Sequence, residues 1–217
     1  MADPARIFLV DDHPVFRLGL AALIRNEEGL ELCGEAASSQ EAMAALRERE
    51  VDLVLIDLSL EDGNGVDLIK RLKAERPKLR CLVVSMHDEN LFANRALRAG
   101  ALGYLSKDTK PAELIAGVRK ALLDEVVLSP AMTSKLLMRA VHGGSAEPAS
   151  PIATLSDREL EVFELIGRGK TTREVAQALH ISIKTVETHQ ANIKSKLGMR
   201  NANELLRAAV TWVAQLD

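Results

Sequence analysis

Five side chains in the first half of the sequence stand at the ends of short apolar runs. Asp11 and Asp12 follow 7–10, Asp57 follows 53–56, Ser85 closes 81–85 and Lys107 follows 103–106. Three carboxylates brought to one place repel each other when dry, but they suit a hard divalent cation with oxygen ligands, Mg²⁺ first among them. A carboxylate held there can attack phosphorus and form an aspartyl phosphate, provided that positive charge offsets its own and that of the incoming group. An ammonium and a hydroxyl, such as those of Lys107 and Ser85, can each bind a phosphoryl oxygen.

Those residues share a pocket only if the runs are strands of one sheet. The stretches 7–10, 30–35, 53–56, 81–85 and 103–106 are too short and too continuously apolar for surface helices. Helix-period segments lie between them near 14–26, 40–49, 65–75, 89–99 and 111–124. Ser38 followed by Glu41 is a capping box, Gly100 ends the fourth helix and Pro111 opens the fifth. Five repeats of strand then helix predict an α/β fold, a doubly wound five-stranded parallel sheet with helices on both faces. In such sheets ligands sit beyond the carboxyl ends of the strands, where these five residues stand.

With 217 residues, 47% apolar and 27% charged, the chain is expected to hold two globular domains. No apolar run exceeds five residues (20–24 and 42–46), far short of the roughly 20 that a spanning helix needs. The N-terminus lacks the basic flank and apolar segment of a secretory signal, so a cytoplasmic location without membrane contact is expected. Cys33 and Cys81 read as buried core thiols. Charge is uneven: 1–130 hold 17 Lys and Arg against 22 Asp and Glu, whereas 165–207 hold 8 against 3, a mild basic excess compatible with nucleic acid.

The expected divisions are 1–125, a linker over 126–151 and a second domain over 152–217. Ser129-Pro130 starts a helix through about 140, and HGGSAEPASP then has linker composition. Beyond Leu155 no strand-like run appears. Helix starts recur at Ser156, Thr171, Ser182 and Asn201, three of them with glutamate three residues on, and predict four short helices. The pair near 172–179 and 183–197, joined by a tight turn, has helix-turn-helix geometry. Ile183, Val186, Ile193 and Leu197 form its buried stripe. The opposite face carries Lys184, Thr188, Ala191 and Ser195, with Thr185 and Glu187 beside it. Small side chains let a helix seat deep in a major groove, and Glu187 can accept from a cytosine amino group. Lys194, Lys196 and Arg200 suit phosphates, which give affinity without sequence information. His13 and His87 lack ligand-spaced partners and read as polar loop residues, His180 and His189 as structural or phosphate-adjacent, and Trp212 as packing.

The blocks LVDDHPVFRLGL, LVLIDLSLEDGNGVDLI, CLVVSMHDE and GALGYLSKD resemble, in order and spacing, those of the response-regulator receiver domain, a flavodoxin-like fold. The resemblance implies that Asp57 is the phosphoacceptor and Asp12 a direct Mg²⁺ ligand, with Asp11 assisting and the Ser59 carbonyl completing the metal set. It also implies that Lys107 pairs with the phosphoryl group, and that Ser85 and Tyr104 form the switch. Leu60-Glu61 and Asp108 depart from the family's usual Met-Pro and post-lysine proline, which bears on loop shape. Haloacid-dehalogenase-like phosphatases use related groups but need a second aspartate where this chain has Ser59. LSDRELEV, GRGKTTREVAQAL and ISIKTVETHQANIKSKLGMRN resemble the LuxR-type DNA-binding domain, many members of which carry lysine where Glu187 stands. Together the halves resemble the NarL/FixJ class. The class implies a partner sensor histidine kinase, a homodimer on promoter DNA when phosphorylated, and no enzymatic activity beyond the receiver's own phosphorylation and dephosphorylation. A phospho-regulated adaptor with little DNA binding is the alternative.

Overall fold

A strand covered by helices on both faces must be apolar on both, and residues 7–10 are fully buried within β1 (Ala5–Val10). The computed structural model describes residues 3–60, 62–141 and 151–214. After β1 come β2 (Leu30–Ala36), β3 (Leu53–Ile56), a small antiparallel hairpin of β4 (Ser59–Leu60) and β5 (Gly63–Asn64), then β6 (Arg80–Ser85) and β7 (Tyr104–Ser106). The five long strands pair in parallel in the order β2-β1-β3-β6-β7. This is the expected doubly wound sheet.

Helices α1 (Pro14–Arg25), α2 (Ser39–Arg47), α3 (Gly65–Glu75), α4 (Glu89–Ala99) and α5 (Pro111–Leu122) alternate with those strands. Leu20 and Ile24 of α1 and Leu114 and Val118 of α5 pack on Ile7, Leu9, Leu55 and Leu82 in one core. The intervening Phe8 and Val10 point to the other face by the two-residue period, and are equally buried. Truncating a side chain such as Leu55 to alanine would cost roughly 2–5 kcal/mol.

The first compact unit runs to Ala140, past the division expected at 125. Val127 is buried and bridges Gly103 in parallel, accepting from the Tyr104 N–H at 2.7 Å and donating to the Leu102 carbonyl at 3.0 Å. Helix α6 (Pro130–Val141) follows, with the Ser129 N–H bonded to Glu89 Oε1 and Met132 buried. One bridging residue is too short to register as a strand in a sequence pattern. Cys33 is only half-buried, its thiol donating to the Ile7 carbonyl at 3.2 Å, because β2 is an edge strand. Cys81 is buried as expected.

The second compact unit opens with a 3₁₀ turn at Pro151–Thr154. The helices that follow are α7 (Asp157–Gly167), α8 (Thr172–Ala178), α9 (Ile183–Leu197) and α10 (Ala202–Val213). The capping boxes at Ser156 with Glu159 and at Thr171 with Glu174 are both formed. Helix α7 lies against α8, α9 and α10, and Phe163 packs on Trp212 with ring centroids 5.3 Å apart. The stripe expected on α9 is buried only in its middle, and Leu197 at its end is half-buried. Val186 and Ile193 are fully buried, but Ile183 is 45% exposed. It is the first helical residue, and packing at a helix end covers one side only. Residues 142–150 of the expected 126–151 linker, and Glu61, lie outside the described residues. Among the described residues no helix is long and apolar enough to cross a membrane.

Candidate functional site

The strand register brings Val10 level with Ile56, and Ile56 level with Val83. Asp11, Asp12 and Asp57 therefore leave the sheet together at its carboxyl edge, all buried. Lys107 leaves β7 beside them, fixed by its N–H on the Ser85 carbonyl at 2.9 Å. Its Nζ lies 2.6 Å from Asp11 Oδ2 and 2.7 Å from Asp57 Oδ2, and 4.4 Å above the Phe16 ring. The sequence-predicted carboxylates and lysine thus form one cluster. Ser85 is fully buried at the end of β6, and its hydroxyl helps to favour the charged form of Asp57.

Burial and the neighbouring Asp57 push the Asp11 carboxyl above its ordinary range. Burial acts the same way on Asp57, yet the nearby His13 imidazole and the Lys107 ammonium outweigh it and hold that carboxyl low. The pocket thus favours the charged form of Asp57. Its Oδ1 is buried without a hydrogen-bond partner. Donor atoms of Asp11, Asp12, His13 and Asp57 lie within 4.8 Å of one another. An oxygen-rich, negatively charged set with an unsatisfied buried oxygen fits a divalent cation.

The loop after Asp57 is held at three points. The Gly65 N–H donates to the Leu58 carbonyl at 2.8 Å, and a Cβ at Gly65 would run into the Asp57 carbonyl. Asn64 Oδ1 accepts the Val66 N–H and caps α3. The two Asp62 oxygens accept the N–H groups of Ser39 and Gln40 at 2.7 and 2.8 Å, pinning the hairpin to the N-terminus of α2. Ser59 Oγ meets His87 Nε2 at 2.9 Å, and the buried Tyr104 donates its hydroxyl to the His87 carbonyl at 2.7 Å.

In the second unit Ser182 caps α9 and Gln190 reaches Thr172 Oγ1 at 3.3 Å, fixing α9 against α8. Lys184, Glu187, Thr188, Ala191 and Ser195 are exposed along α9, and Arg200 lies exposed beyond its end. Thr185 is half-buried, its hydroxyl within 2.8 Å of Ser182 Oγ, and Lys194 is half-buried too. Lys196 is turned to the buried Glu159, Nζ to Oε2 2.6 Å, a partner 37 residues away that no local pattern reveals.

Residues 7–119 match the response regulator receiver domain, and 153–209 match the bacterial regulatory proteins of the luxR family. The transcriptional regulatory protein LiaR of Bacillus subtilis is 37% identical over 201 residues, covering 92% of this chain and 93% of that protein. The response regulator protein VraR of Staphylococcus aureus is 34% identical over 199 residues, with the same coverage. The chain belongs to the NarL/FixJ class of response regulators. RcsB from Salmonella enterica serovar Typhimurium, solved bound to promoter rprA with the phosphomimetic BeF3⁻, is similar over 94% of this chain and 98% of its own, with TM-score 0.61 and 26% identity. The two units of this response regulator are a receiver and a LuxR-type DNA-binding domain, the pairing of a DNA-binding transcriptional regulator.

Sequence reasoning about the regulator missed His13 as a pocket residue. Its Nδ1 lies 2.7 Å from Asp12 Oδ1, and Asp57 and Asp12 raise its affinity for a proton. The available signal was adjacency to Asp11-Asp12 with Pro14 opening a helix behind it. Asp62 was missed as well, since the partners of a capping carboxylate 22 residues away are set by tertiary structure.

Proposed function

We propose that this regulator is switched by phosphorylation of Asp57 and answers by binding promoter DNA. The observation that carries the reading is the meeting of Asp11 and Asp57 on one buried ammonium, that of Lys107, at the end of a parallel sheet. A divalent ion, Mg²⁺ in this reading, held by Asp11, Asp12, Asp57 and the Ser59 carbonyl, supplies charge to offset the incoming phosphoryl group. An ionised Asp57 oxygen forms a bond to phosphorus while the bond to a partner kinase's histidine nitrogen breaks, the nitrogen keeping the electron pair. The receiver catalyses only this step and the later hydrolysis of its own phosphate.

The added phosphate brings roughly −1.5 to −2 charges, draws Ser85 and Lys107 to its oxygens and shifts an existing equilibrium of receiver surfaces, with Tyr104 following. Two copies then pair on half-sites about one helical turn apart. Helix α9 enters the major groove through Lys184, Thr188 and Ala191, with Thr185 and Glu187 at its side and Lys194 and Arg200 near phosphates, while Lys196, expected there as well, is committed to Glu159.

Incubation with a small phosphodonor and Mg²⁺ is expected to label the wild type with acid-labile phosphate and to leave Asp57→Asn unlabelled. Undiminished labelling of the variant overturns the acceptor assignment. Mobility shifts on genomic fragments are expected to strengthen on phosphorylation and to weaken steeply with salt. A salt slope near zero would favour the adaptor reading instead.

A further inference from the structure

His13 brings an imidazole nitrogen into the carboxylate cluster. Its Nδ1 stands 2.7 Å from Asp12 Oδ1, 3.6 Å from Asp11 Oδ1 and 3.8 Å from Asp57 Oδ2. Donors that share an ion through bonds of about 2.0–2.2 Å necessarily stand a few ångströms apart, and these do. The main chain that carries the ring is fixed: His13 stands at the N-cap position of α1 with no cap bond from its side chain, Pro14 follows at the first helical position, and the His13 N–H donates to Asp11 Oδ1 at 2.8 Å. Lys107 already engages Asp11 Oδ2 and Asp57 Oδ2. That leaves Asp57 Oδ1, buried and without a hydrogen-bond partner, in the same cluster as the imidazole.

A pure carboxylate and carbonyl set suits Mg²⁺, whereas an imidazole adds little for that ion and much for the borderline ions later in the first transition row. We infer that His13 is a ligand that sets metal preference, making the receiver pocket a mixed nitrogen and oxygen site that holds Co²⁺ or Zn²⁺ far more tightly than Mg²⁺. The inference rests on the reading of the pocket as a divalent-cation site.

Calorimetric titration of the full chain with Co²⁺ and, separately, Mg²⁺ tests it in wild type, His13→Asn and His13→Ala, without phosphodonor. Loss of a ligand is expected to weaken Co²⁺ binding by about ten-fold or more and to change the visible Co²⁺ absorption. Mg²⁺ binding should change by less than about two-fold, since imidazole contributes little to a hard ion. Circular dichroism of each variant shows that the pocket's scaffold is retained, and the second variant serves if the first does not fold. Equal losses for both ions, or unchanged Co²⁺ affinity, overturn the role of His13 while leaving the cation site standing. Failure of the wild type to bind either ion overturns the cation site itself, and this inference with it.

Discussion

The two units bury carboxylates in opposite ways. In the receiver, Asp11, Asp12 and Asp57 share one lysine and one histidine. In the DNA-binding unit each buried glutamate has a base of its own: Glu159 with Lys196 at 2.6 Å, Glu161 with Arg158 at 2.7 Å and Glu164 with Arg168 at 2.9 Å. Burial raises the carboxyls of both Asp11 and Glu159. For Asp11 that push and the Asp57 charge prevail, whereas for Glu159 the Lys196 ammonium and hydrogen bonds from Ser156 overrule it. One unit holds negative charge in excess, an arrangement that fits a divalent cation. The other spends its ion pairs on joining helices.

The same chemical change, carboxylate to amide, should therefore have opposite signs in the two units. Glu161→Gln is expected to destabilise the DNA-binding unit by about 3 kcal/mol, because it strips a fully buried carboxylate from Arg158, whose other nitrogen holds the Leu179 carbonyl at the end of α8. The single tryptophan, Trp212, packs within this unit and reports its urea transition by fluorescence. A loss below about 0.5 kcal/mol would break the contrast, since that is the scale of an ordinary surface substitution.

Asp11→Asn should stabilise the receiver. A carboxyl with a raised folded-state pKa binds its proton more tightly when folded, so its stabilising contribution is present below the unfolded value of 3.8 and lost as pH rises. At pH 7 the charged form opposes folding, and the amide removes that charge while it can still accept the His13 N–H. A gain of about 1 kcal/mol in chelator is expected by calorimetry, together with loss of most of the stabilisation that divalent ions give the wild type. Destabilisation in chelator would show that Lys107 balances the pocket fully.

The sheet and its chemical edge were legible because β1, β3, β6 and β7 are short apolar runs that end in or lead into a polar residue, and the run 53–56 coincides with β3. Helix starts were legible for a similar reason. Ser156, Thr171, Ser182 and Asn201 each accept the N–H three residues on, a contact written into local spacing. Illegible were contacts that join distant segments: Val127 on Gly103, Lys196 on Glu159 and Asp62 on α2. None has a period or a motif, because each depends on where the sheet and helices bring two stretches of chain. Exposure at an element's rim was illegible too, as Ile183 and Cys33 show.

Asp62 sharpens the contrast from the receiver side, for here a carboxylate works as a structural cap beside the functional cluster. Asp62→Ala frees two N–H groups of α2 and should cost about 1 kcal/mol. Asp62→Asn, which retains one acceptor oxygen, should recover part of it. Thermal unfolding of the two variants in chelator checks the order, and equal melting temperatures would mean that Ser38 alone suffices as the cap of α2.

The smallest effect belongs to His189, on α9. Burial and the nearby Arg158 guanidinium lower its affinity for a proton, against a weaker opposing pull from Glu159, and its Nδ1 is buried without a hydrogen-bond partner. The unfolded chain, with the ordinary value of 6.5, then binds more protons than the folded one over an interval below 6.5. Stability contributed by the neutral ring is complete above that value and is lost as pH falls through the folded-state pKa. The Trp212-reported urea midpoint should thus fall modestly as pH drops from 7.5 into the range below 6.5, and His189→Gln should flatten that segment. A midpoint that rises on acidification in wild type but not in the variant would reverse the sign. It would mean that Glu159 governs the ring more than burial and Arg158 do, and that even a histidine in this unit is held by a paired charge.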